Sequence, residues 1–292
     1  MIYFANPKSE YIFLKKKINK KINDVLNSNS YILGNEVRQF ENRFSKYLGL
    51  KYSVGVSNGT DALILSLKAV NIKKGDEVIT TSHTAYATIA AIVEAGAKPV
   101  FVDIKEDDFN MNSAELKKKI TKKTRAIIIV HLYGNPADIV EISKVAKKNK
   151  IYLIEDCSQA HGAEFNKKKV GTFGDLSCFS FYPTKNLSTF GDAGIVCTNN
   201  KKMFKKIKFF REYGWKKKNI GVSEGYNKRL DELHAGILNV KLDNIDKFNK
   251  KRILIANKFL NLIKSKKILL PQKNNTKKHV FHLFVIRVKN YI

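Results

Sequence analysis

Short apolar runs alternate with amphipathic stretches along residues 51–156. The runs are rich in β-branched residues and predict strands, whereas the stretches carry apolar residues at helical spacing and predict helices. The predicted strands are 52–56, 77–80, 99–102, 125–130 and 152–154, and the predicted helices between them are 60–70, 84–95, 113–120 and 137–148. This alternation predicts an α/β fold in which a mostly parallel sheet lies between layers of helices.

The pattern changes after residue 156. Two closely spaced strands are predicted around a loop that contains Pro183, Lys185 and Gly191, followed by two helices and a last strand. In chain order these elements are strands 176–181 and 193–198, helices 201–213 and 230–264, and strand 280–288. We therefore expect a large domain at residues 1–235, which begins with a helical segment, and a partial α+β domain at residues 236–292.

Composition excludes several classes of protein. The chain has 292 residues, of which 43% are hydrophobic, and this excludes a disordered or collagen-like chain. Three cysteines are too few for a disulfide scaffold and indicate a reducing compartment. No apolar run approaches the roughly 20 residues that span a bilayer, and residues 1–7 lack the pattern of a signal peptide. We expect a cytoplasmic protein without membrane contact.

The charge balance is strongly basic. Lys and Arg number 54 against 26 Asp and Glu, which gives a formal net charge of +28. Such a charge is typical of nucleic-acid binding, but the lysines form short scattered runs, as at 15–17 and 117–119, without interleaved aromatic residues. The distribution favours a solvated basic surface over a nucleic-acid site. The same field would attract an anionic substrate such as a phosphate or a nucleotide.

Residues 57–61, Ser-Asn-Gly-Thr-Asp, lie between a predicted strand and a predicted helix. Backbone N–H groups and the helix dipole suit such a junction to phosphate, and Gly59 lets an anion approach the backbone closely. The same residues are also typical of a helix N-cap without a ligand. Taken alone, this segment leaves both interpretations open.

Two further candidates lie later in the chain. Glu155 and Asp156 end a predicted strand, where one carboxylate could hold a cationic ring nitrogen or a metal ion, or cap a turn. Lys185 lies in a segment of low charge, near Phe181 and Tyr182. A desolvated lysine has a lowered pKa and forms Schiff bases, although a lysine in such a loop can also extend into solvent. We assign no metal site.

The combination of these candidates is more specific than each alone. A phosphate-binding junction, an aspartate, a serine and a lysine follow one another along an α/β chain. Pyridoxal phosphate requires such a set, because its phosphate needs hydrogen-bond donors, its pyridinium nitrogen needs a carboxylate and its aldehyde needs an amine. The sequence therefore predicts a pyridoxal 5'-phosphate site.

Six segments together resemble the DegT/DnrJ/EryC1/StrS family of sugar-modifying, pyridoxal-phosphate-dependent aminotransferases. They are SNGTDAL at 57–63, GAKPVFVD at 96–103, EDCSQAHGA at 155–163, FSFYPTKNL at 179–187, GDAG at 191–194 and GYNKRLD at 225–231. The resemblance covers nearly the whole chain. It implies a fold-type I transferase with a seven-stranded, mostly parallel sheet between helices and an incomplete C-terminal small domain.

The resemblance also implies roles for individual residues. Lys185 would bind the cofactor aldehyde and move the proton between cofactor and substrate, and Asp156 would pair with the ring nitrogen. The other cofactor-binding candidates are Gly59, Thr60 and Ser180 at the phosphate, Gln159 beside the ring, and His83 or Tyr86 against its face. The choice between the last two stays open, because many family members have an aromatic residue where this chain has Ala85.

Asn227 resembles a family asparagine that reaches the phosphate of the neighbouring subunit, which implies a homodimer with shared active sites. Segments 82–85 and 211–215 resemble the enzymes that aminate dTDP-3-keto-6-deoxyhexoses. The implied reaction transfers the amino group of glutamate to a nucleotide-linked keto-deoxysugar, for lipopolysaccharide or another polysaccharide.

Two alternatives accompany this reading. Family members generally continue for several tens of residues beyond the segment that resembles 279–288, so the chain is expected to be truncated and could be a catalytically impaired or regulatory cofactor-binding protein. The second alternative is a sugar dehydratase that uses pyridoxamine phosphate. The known dehydratase of this family has histidine at the position of Lys185, which argues against it.

Overall fold

The structure is a computed structural model that describes residues 5–217 and 219–288. Its helices are α1 (Pro7–Leu26), α2 (Asn35–Leu48), α3 (Gly59–Ala69), α4 (Tyr86–Glu94), α5 (Ser113–Lys119), α6 (Ile139–Lys148), α7 (Lys201–Arg211), α8 (Glu232–Leu242) and α9 (Ile245–Leu262). Within these residues, no helix is both long and apolar enough to cross a bilayer.

The strands fall into one large sheet and several small pairings. Those of the large sheet are β1 (Tyr52–Val56), β2 (Glu77–Thr81), β3 (Lys98–Val102), β4 (Thr124–Val130), β5 (Tyr152–Asp156), β8 (Leu176–Ser180) and β9 (Gly194–Thr198). The short ones are β6 (Glu164–Phe165), β7 (Lys168–Lys169), β10 (Trp215–Lys217), β11 (Ile220–Gly221), β12 (Ile268–Leu269), β13 (Lys277–Lys278) and β14 (Arg287–Val288).

The large sheet has the order β1-β9-β8-β5-β4-β2-β3. The pairs from β3 through β8 are parallel, whereas β9 pairs antiparallel with both β8 and β1. Strand β9 therefore runs against the other six. The predicted seven-stranded, mostly parallel sheet is confirmed.

Helices cover both faces of this sheet because its strands are apolar on both sides. On β4, Ala126 and Ile128 pack in one core cluster with α3, α4 and α7, whereas Ile127 and Ile129 pack in another with α5 and α6. A third cluster joins α2 and α8 to β8 and β9. Strands buried on both faces give the continuous apolar runs that the sequence contains.

The predicted helix at 230–264 is wrong as a single element. The structure divides it into α8 and α9, which meet at Asp243 and Asn244. Asp and Asn side chains compete with helical backbone hydrogen bonds and favour helix ends. Arg43 of α2 forms an ion pair with Asp243 at this corner.

The predicted strand at 280–288 is also wrong over most of its length. Only β14 forms, and it pairs with β12. Upstream, Phe281 adopts a left-handed backbone with φ of 45°, which interrupts an extended strand. Val280 is fully buried, and its N–H donates to the carbonyl of Gly134 at 3.0 Å.

The segment after α9 is attached to the large sheet's surroundings mainly by polar contacts. Strand β13 pairs with β6, and Lys277 lies 2.9 Å from the Asp108 carboxylate and 2.8 Å from that of Asp138. Lys105 contacts the same two carboxylates at 2.9 and 2.8 Å. The division into residues 1–235 and 236–292 stays a prediction.

Candidate active site

A cleft of about 450 Å³, hereafter the first cavity, lies at the carboxyl ends of β1, β5 and β8. Parallel strands bring the residues that follow them to one edge of the sheet. The cavity unites six of the residues singled out from the sequence: Gly59, Thr60, Asp156, Gln159, Ser180 and Lys185.

The start of α3 forms one wall of the first cavity. Asn58 caps this helix, because its side-chain oxygen accepts a hydrogen bond from the Asp61 N–H at 2.8 Å. The first N–H groups of a helix have no partner within it, and those of Gly59 and Thr60 lie at the cavity. The N-cap interpretation and the phosphate interpretation of residues 57–61 are therefore compatible.

Gly59 is required by a close approach between α3 and β8. A Cβ at this position would lie 2.7 Å from the Cβ of Ser180 and 3.3 Å from its Cα. Contacts that short do not occur for real side chains, so another residue would push the two elements apart. The glycine keeps the Ser180 hydroxyl beside the helix N-terminus.

Asp156 ends β5 and is only 4% exposed. The Thr88 hydroxyl donates to its Oδ2 at 3.0 Å, and the Ser158 N–H donates to its Oδ1 at 3.1 Å. These two bonds fix the carboxylate at the cavity wall. The resemblance places Thr88 within the segment 82–88 that supplies the ring face, but its bond to Asp156 was not predicted. The Thr88 hydroxyl also lies 3.1 Å from that of Thr84, and the spacing of four residues between these threonines was the available signal.

Glu155 points to the other face of the sheet and has a structural role. It accepts hydrogen bonds from the backbone of Gly171, Phe173 and Gly174 at 2.6 to 2.7 Å. His131 lies 3.1 Å from it through Nε2, while its Nδ1 accepts from the Ala137 N–H. Both ring nitrogens of His131 are therefore engaged, and the group formed with Glu155 and Cys157 is hydrogen-bonded core rather than a metal centre.

Lys185 lies in the loop between β8 and β9, and the main chain of this loop is clamped. The Phe181 N–H donates to Ala193 at 2.7 Å, the Thr189 N–H donates to Phe181 at 2.8 Å, and the Lys185 N–H donates to Tyr182 at 2.9 Å. Burial lowers the pKa of the Lys185 amine, and the nearby charge of Asp156 opposes this effect. Amine and carboxylate therefore face one another across the first cavity.

Gln159 lies in the cavity wall and holds Tyr133. Its Oε1 accepts from the Tyr133 N–H at 2.6 Å, and Tyr133 has a left-handed backbone with φ of 59°. The Tyr133 hydroxyl in turn lies 3.0 Å from Nε2 of His83. The sequence indicates residues 131–133 as a polar segment at the end of a strand, but it assigns no role to Tyr133, because the hydrogen bond to Gln159 joins residues that are far apart in the chain.

The structure does not bring the remaining three candidates into the first cavity. His83 is exposed and packs near Phe109, with 5.7 Å between ring centroids, and Tyr86 is 80% exposed. Ala85 and Ala87 line the cavity at this side instead. Asn227 is exposed and pairs through its backbone with Glu212. The roles of His83, Tyr86 and Asn227 stay predictions.

Lys185 also lines a larger cavity of about 720 Å³, hereafter the second cavity. Its walls come from α1, α9 and residues 282–283. Asn186, next to the lysine, donates through Nδ2 to Asn249 of α9 at 2.9 Å and to the carbonyl of Val280 at 3.1 Å. The lysine is therefore the point at which the sheet, α9 and the C-terminal segment meet.

The residues of the first cavity fit pyridoxal phosphate. The cradle at Gly59, which a Cβ would fill, suits the phosphate, and the anchored carboxylate of Asp156 suits a protonated ring nitrogen. The buried amine of Lys185 suits the aldehyde.

The profile of the DegT/DnrJ/EryC1/StrS aminotransferase family matches residues 13–291. The chain belongs to this family. The predicted family is thereby confirmed, and with it the predicted class of enzyme.

Individual relatives agree with this assignment. The dTDP-3-amino-3,6-dideoxy-alpha-D-galactopyranose transaminase of Aneurinibacillus thermoaerophilus is 45% identical over 289 residues, which are 99% of this chain and 80% of that protein. The structure of S. venezuelae DesV in complex with a ketimine intermediate superposes with a TM-score of 0.96 at 37% identity, over 99% of this chain and 78% of that one. The E. coli GDP-4-keto-6-deoxy-D-mannose-3-dehydratase with bound hydrated PLP gives 0.88 at 29% identity, over 94% and 76%.

Proposed function

We propose that the protein is a pyridoxal-phosphate-dependent aminotransferase that moves the amino group of glutamate to the keto carbon of a dTDP-linked 3-keto-6-deoxyhexose. The observation that carries the proposal is the first cavity, where the Lys185 amine, the Asp156 carboxylate and the start of α3 face one another. The name of the A. thermoaerophilus relative, a transaminase of a dTDP-linked amino sugar, supports a nucleotide-sugar substrate.

Pyridoxal phosphate, when bound, supplies an aldehyde that condenses with amines and a ring that accepts electrons. The residues of the protein would hold the cofactor and move protons to and from it. Lys185 presents an amine whose pKa burial lowers, so a larger fraction is neutral and able to take up a proton at Nζ. Its clamped main chain keeps that amine at the junction of the two cavities.

The Asp156 carboxylate would stabilise the protonated form of the cofactor's ring nitrogen. Its carboxylate is held by Thr88 and Ser158 and has little contact with water. A fixed carboxylate in a water-poor site stabilises a cation more than it would in bulk solvent. The N–H groups at Gly59 and Thr60, together with the Ser180 hydroxyl, would bind the phosphate at the other end of the cofactor.

We further propose a homodimer in which Asn227 reaches the phosphate of the neighbouring subunit. Asn227 is exposed in the single chain and lies outside the first cavity, as such a role requires. A place in polysaccharide biosynthesis in the cytoplasm follows from the substrate class and remains part of the proposal.

The decisive experiment incubates the purified protein with pyridoxal phosphate, glutamate and a panel of dTDP- and UDP-linked ketosugars. We expect one amino sugar and stoichiometric 2-oxoglutarate by mass spectrometry, and borohydride should attach the cofactor covalently to Lys185. A deoxygenated sugar without amine transfer would identify a dehydratase instead. A protein that takes up no cofactor would exclude both enzymes.

A further inference from the structure

The second cavity contains a cation without a partner. Arg252 of α9 is partly buried and lines this cavity together with Lys185. Within residues 5–217 and 219–288, no carboxylate oxygen lies within the 4.0 Å of its guanidinium that defines an ion pair, and no hydrogen-bond acceptor is present. A partly buried guanidinium that lines a cavity and has no protein acceptor is available to an anionic ligand that enters the cavity.

The nearby carboxylate is engaged elsewhere. Glu10 of α1 lines the same cavity, but its Oε2 pairs with the amine of Lys241 at 2.8 Å. Burial lowers the pKa of Arg252, and the charge of Glu10 opposes this effect only from a distance. Glu10 therefore leaves the guanidinium N–H groups of Arg252 free for another anion.

A neutral histidine lies near Lys185 and Arg252. His282 lies 3.3 Å through Nδ1 from the side-chain oxygen of Asn186. Burial lowers the pKa of His282 to about 3, and the charges of Lys185 and Arg252 contribute to the lowering. The ring is therefore uncharged and offers the Arg252 guanidinium no opposite charge.

The lysines near Arg252 have other contacts. The amines of Lys247 and Lys251 lie 4.8 and 5.8 Å from the centre of the Phe13 ring, in cation–π geometry. Arg252 is the cation in this group that neither an aromatic ring nor a carboxylate engages within the described part of the chain. Its planar fork also suits two-point binding of an oxyanion better than an ammonium does.

We propose that Arg252 binds an oxyanion of a substrate in the second cavity, beside the reacting lysine. The oxyanion is either a carboxylate of the amino donor or a phosphate of the sugar nucleotide, since both have the same charge and two-oxygen geometry. This inference rests on the proposed function and adds a binding residue to it. Sequence motifs did not indicate Arg252.

The two half-reactions separate the two sources of the anion. Donor binding is measured from the change in cofactor absorbance when glutamate is added alone, and acceptor binding from the reverse change when a ketosugar is added to the aminated form. We compare Arg252→Gln with Arg252→Lys, which keeps the charge. The matched control is Lys250→Gln, which removes an exposed cation two residues away on α9.

We expect Arg252→Gln to raise the half-saturating concentration of one substrate by about 10- to 100-fold, the usual range for loss of a charged hydrogen bond. Arg252→Lys should recover much of the loss, and Lys250→Gln should change neither half-reaction. An effect on glutamate alone identifies the carboxylate, an effect on the sugar alone identifies the phosphate, and an effect on both identifies a shared subsite. Normal saturation of both half-reactions by Arg252→Gln overturns the proposal.

A second measurement on the wild-type holoenzyme does not depend on the stability of a variant. Phenylglyoxal modifies accessible arginines, and peptide mass spectrometry gives the rate at each position. Either 2-oxoglutarate or thymidine diphosphate should slow modification of Arg252 but not of the exposed Arg125. Equal rates at Arg252 with and without both probes would contradict the inference.

The two proposals fail in different ways. If ligands protect Arg252 from modification but the protein aminates no ketosugar, the proposed function is wrong and the anion site is supported. If Arg252→Gln has full aminotransferase activity and unchanged half-saturating concentrations of both substrates, the anion site is wrong and the proposed function is supported.

Discussion

The two cavities that share Lys185 are built differently. The first is formed by strand ends and a helix start, and its residues lie within short contiguous motifs such as 57–61 and 155–159. The second joins α1 to α9 and residues 282–283, and most of the chain lies between α1 and the other two. The first cavity therefore follows from short motifs at one edge of the sheet, whereas the second depends on the packing of the two ends of the chain.

The largest expected effect comes from Lys185, the one described residue that lines both cavities. Lys185→Ala should lower turnover on the order of 10⁴-fold or more, as loss of a reacting nucleophile does in other enzymes. It should also abolish covalent capture of the cofactor by borohydride. Amino-sugar formation by mass spectrometry measures the loss, and the surface variant Lys250→Gln is the control. Normal turnover by Lys185→Ala would mean that another group does the chemistry.

A substitution of Asn186 tests whether substrate binding can be weakened without an equal loss of cofactor affinity. Its side chain is buried and ties the lysine loop to Asn249 and Val280. Because Asn186→Ala leaves buried partners unsatisfied, we expect unfolding in urea to show a loss of about 1 to 3 kcal/mol. Substrate saturation should weaken more than cofactor affinity, since the segment that walls the second cavity loses its anchor.

The control for this variant is Asn42→Ala, which changes an exposed asparagine on α2. Cofactor affinity is measured by absorbance titration and substrate saturation by initial rates. Equal losses in both quantities would show that the two cavities are one cooperative unit.

A smaller expected effect is the pH dependence of stability that the buried side chain of His161 causes. His161 is fully buried between Phe179 and Phe181, at centroid distances of 5.4 and 5.5 Å, and neither ring nitrogen has a partner in the described structure. Burial first, and then the charges of Lys185 and His282, lower its pKa to about 3. An unfolded histidine titrates near 6.5.

Between pH 6.5 and 3 the unfolded chain therefore binds a proton at His161 that the folded chain does not. Stability falls as the pH falls through this window, by about 1.4 kcal/mol for each pH unit. His161→Phe removes this contribution, so its unfolding free energy should drop less than that of the wild type between pH 7 and pH 5, by about 2 kcal/mol. Denaturant unfolding at the two pH values measures it, with the exposed His83→Phe as control. Parallel curves for wild type and His161→Phe would count against a buried neutral imidazole.

The sequence was informative wherever local pattern determines structure. The strands at 52–56 and 125–130 and the reversal after residue 176 follow from apolar runs, and the shared edge of a parallel sheet follows from them. That edge brings Gly59, Asp156 and Lys185 together. The roles of Thr88 and His282 could not be found in this way, because their hydrogen bonds join residues far apart in the chain. Arg252 could not be found either, because the cavity that it lines is formed by segments distant in sequence.

The two errors of secondary structure have local physical causes. A two-residue polar corner at 243–244 ends one helix and begins another without a proline or glycine to mark it. The left-handed backbone of Phe281 interrupts a run that otherwise has strand composition. At the first place two polar residues, and at the second a left-handed backbone, outweigh the apolar pattern on either side.

The reversed direction of β9 has a mechanical consequence. Because β8 and β9 are antiparallel neighbours, the chain returns at the same edge of the sheet without a crossover helix, and the connecting loop is tied to itself at both ends. Main-chain hydrogen bonds therefore hold the backbone of residue 185 in place. A rotation of its four methylene groups would carry the amine from one cavity to the other, which is a side-chain motion and not a movement of the loop.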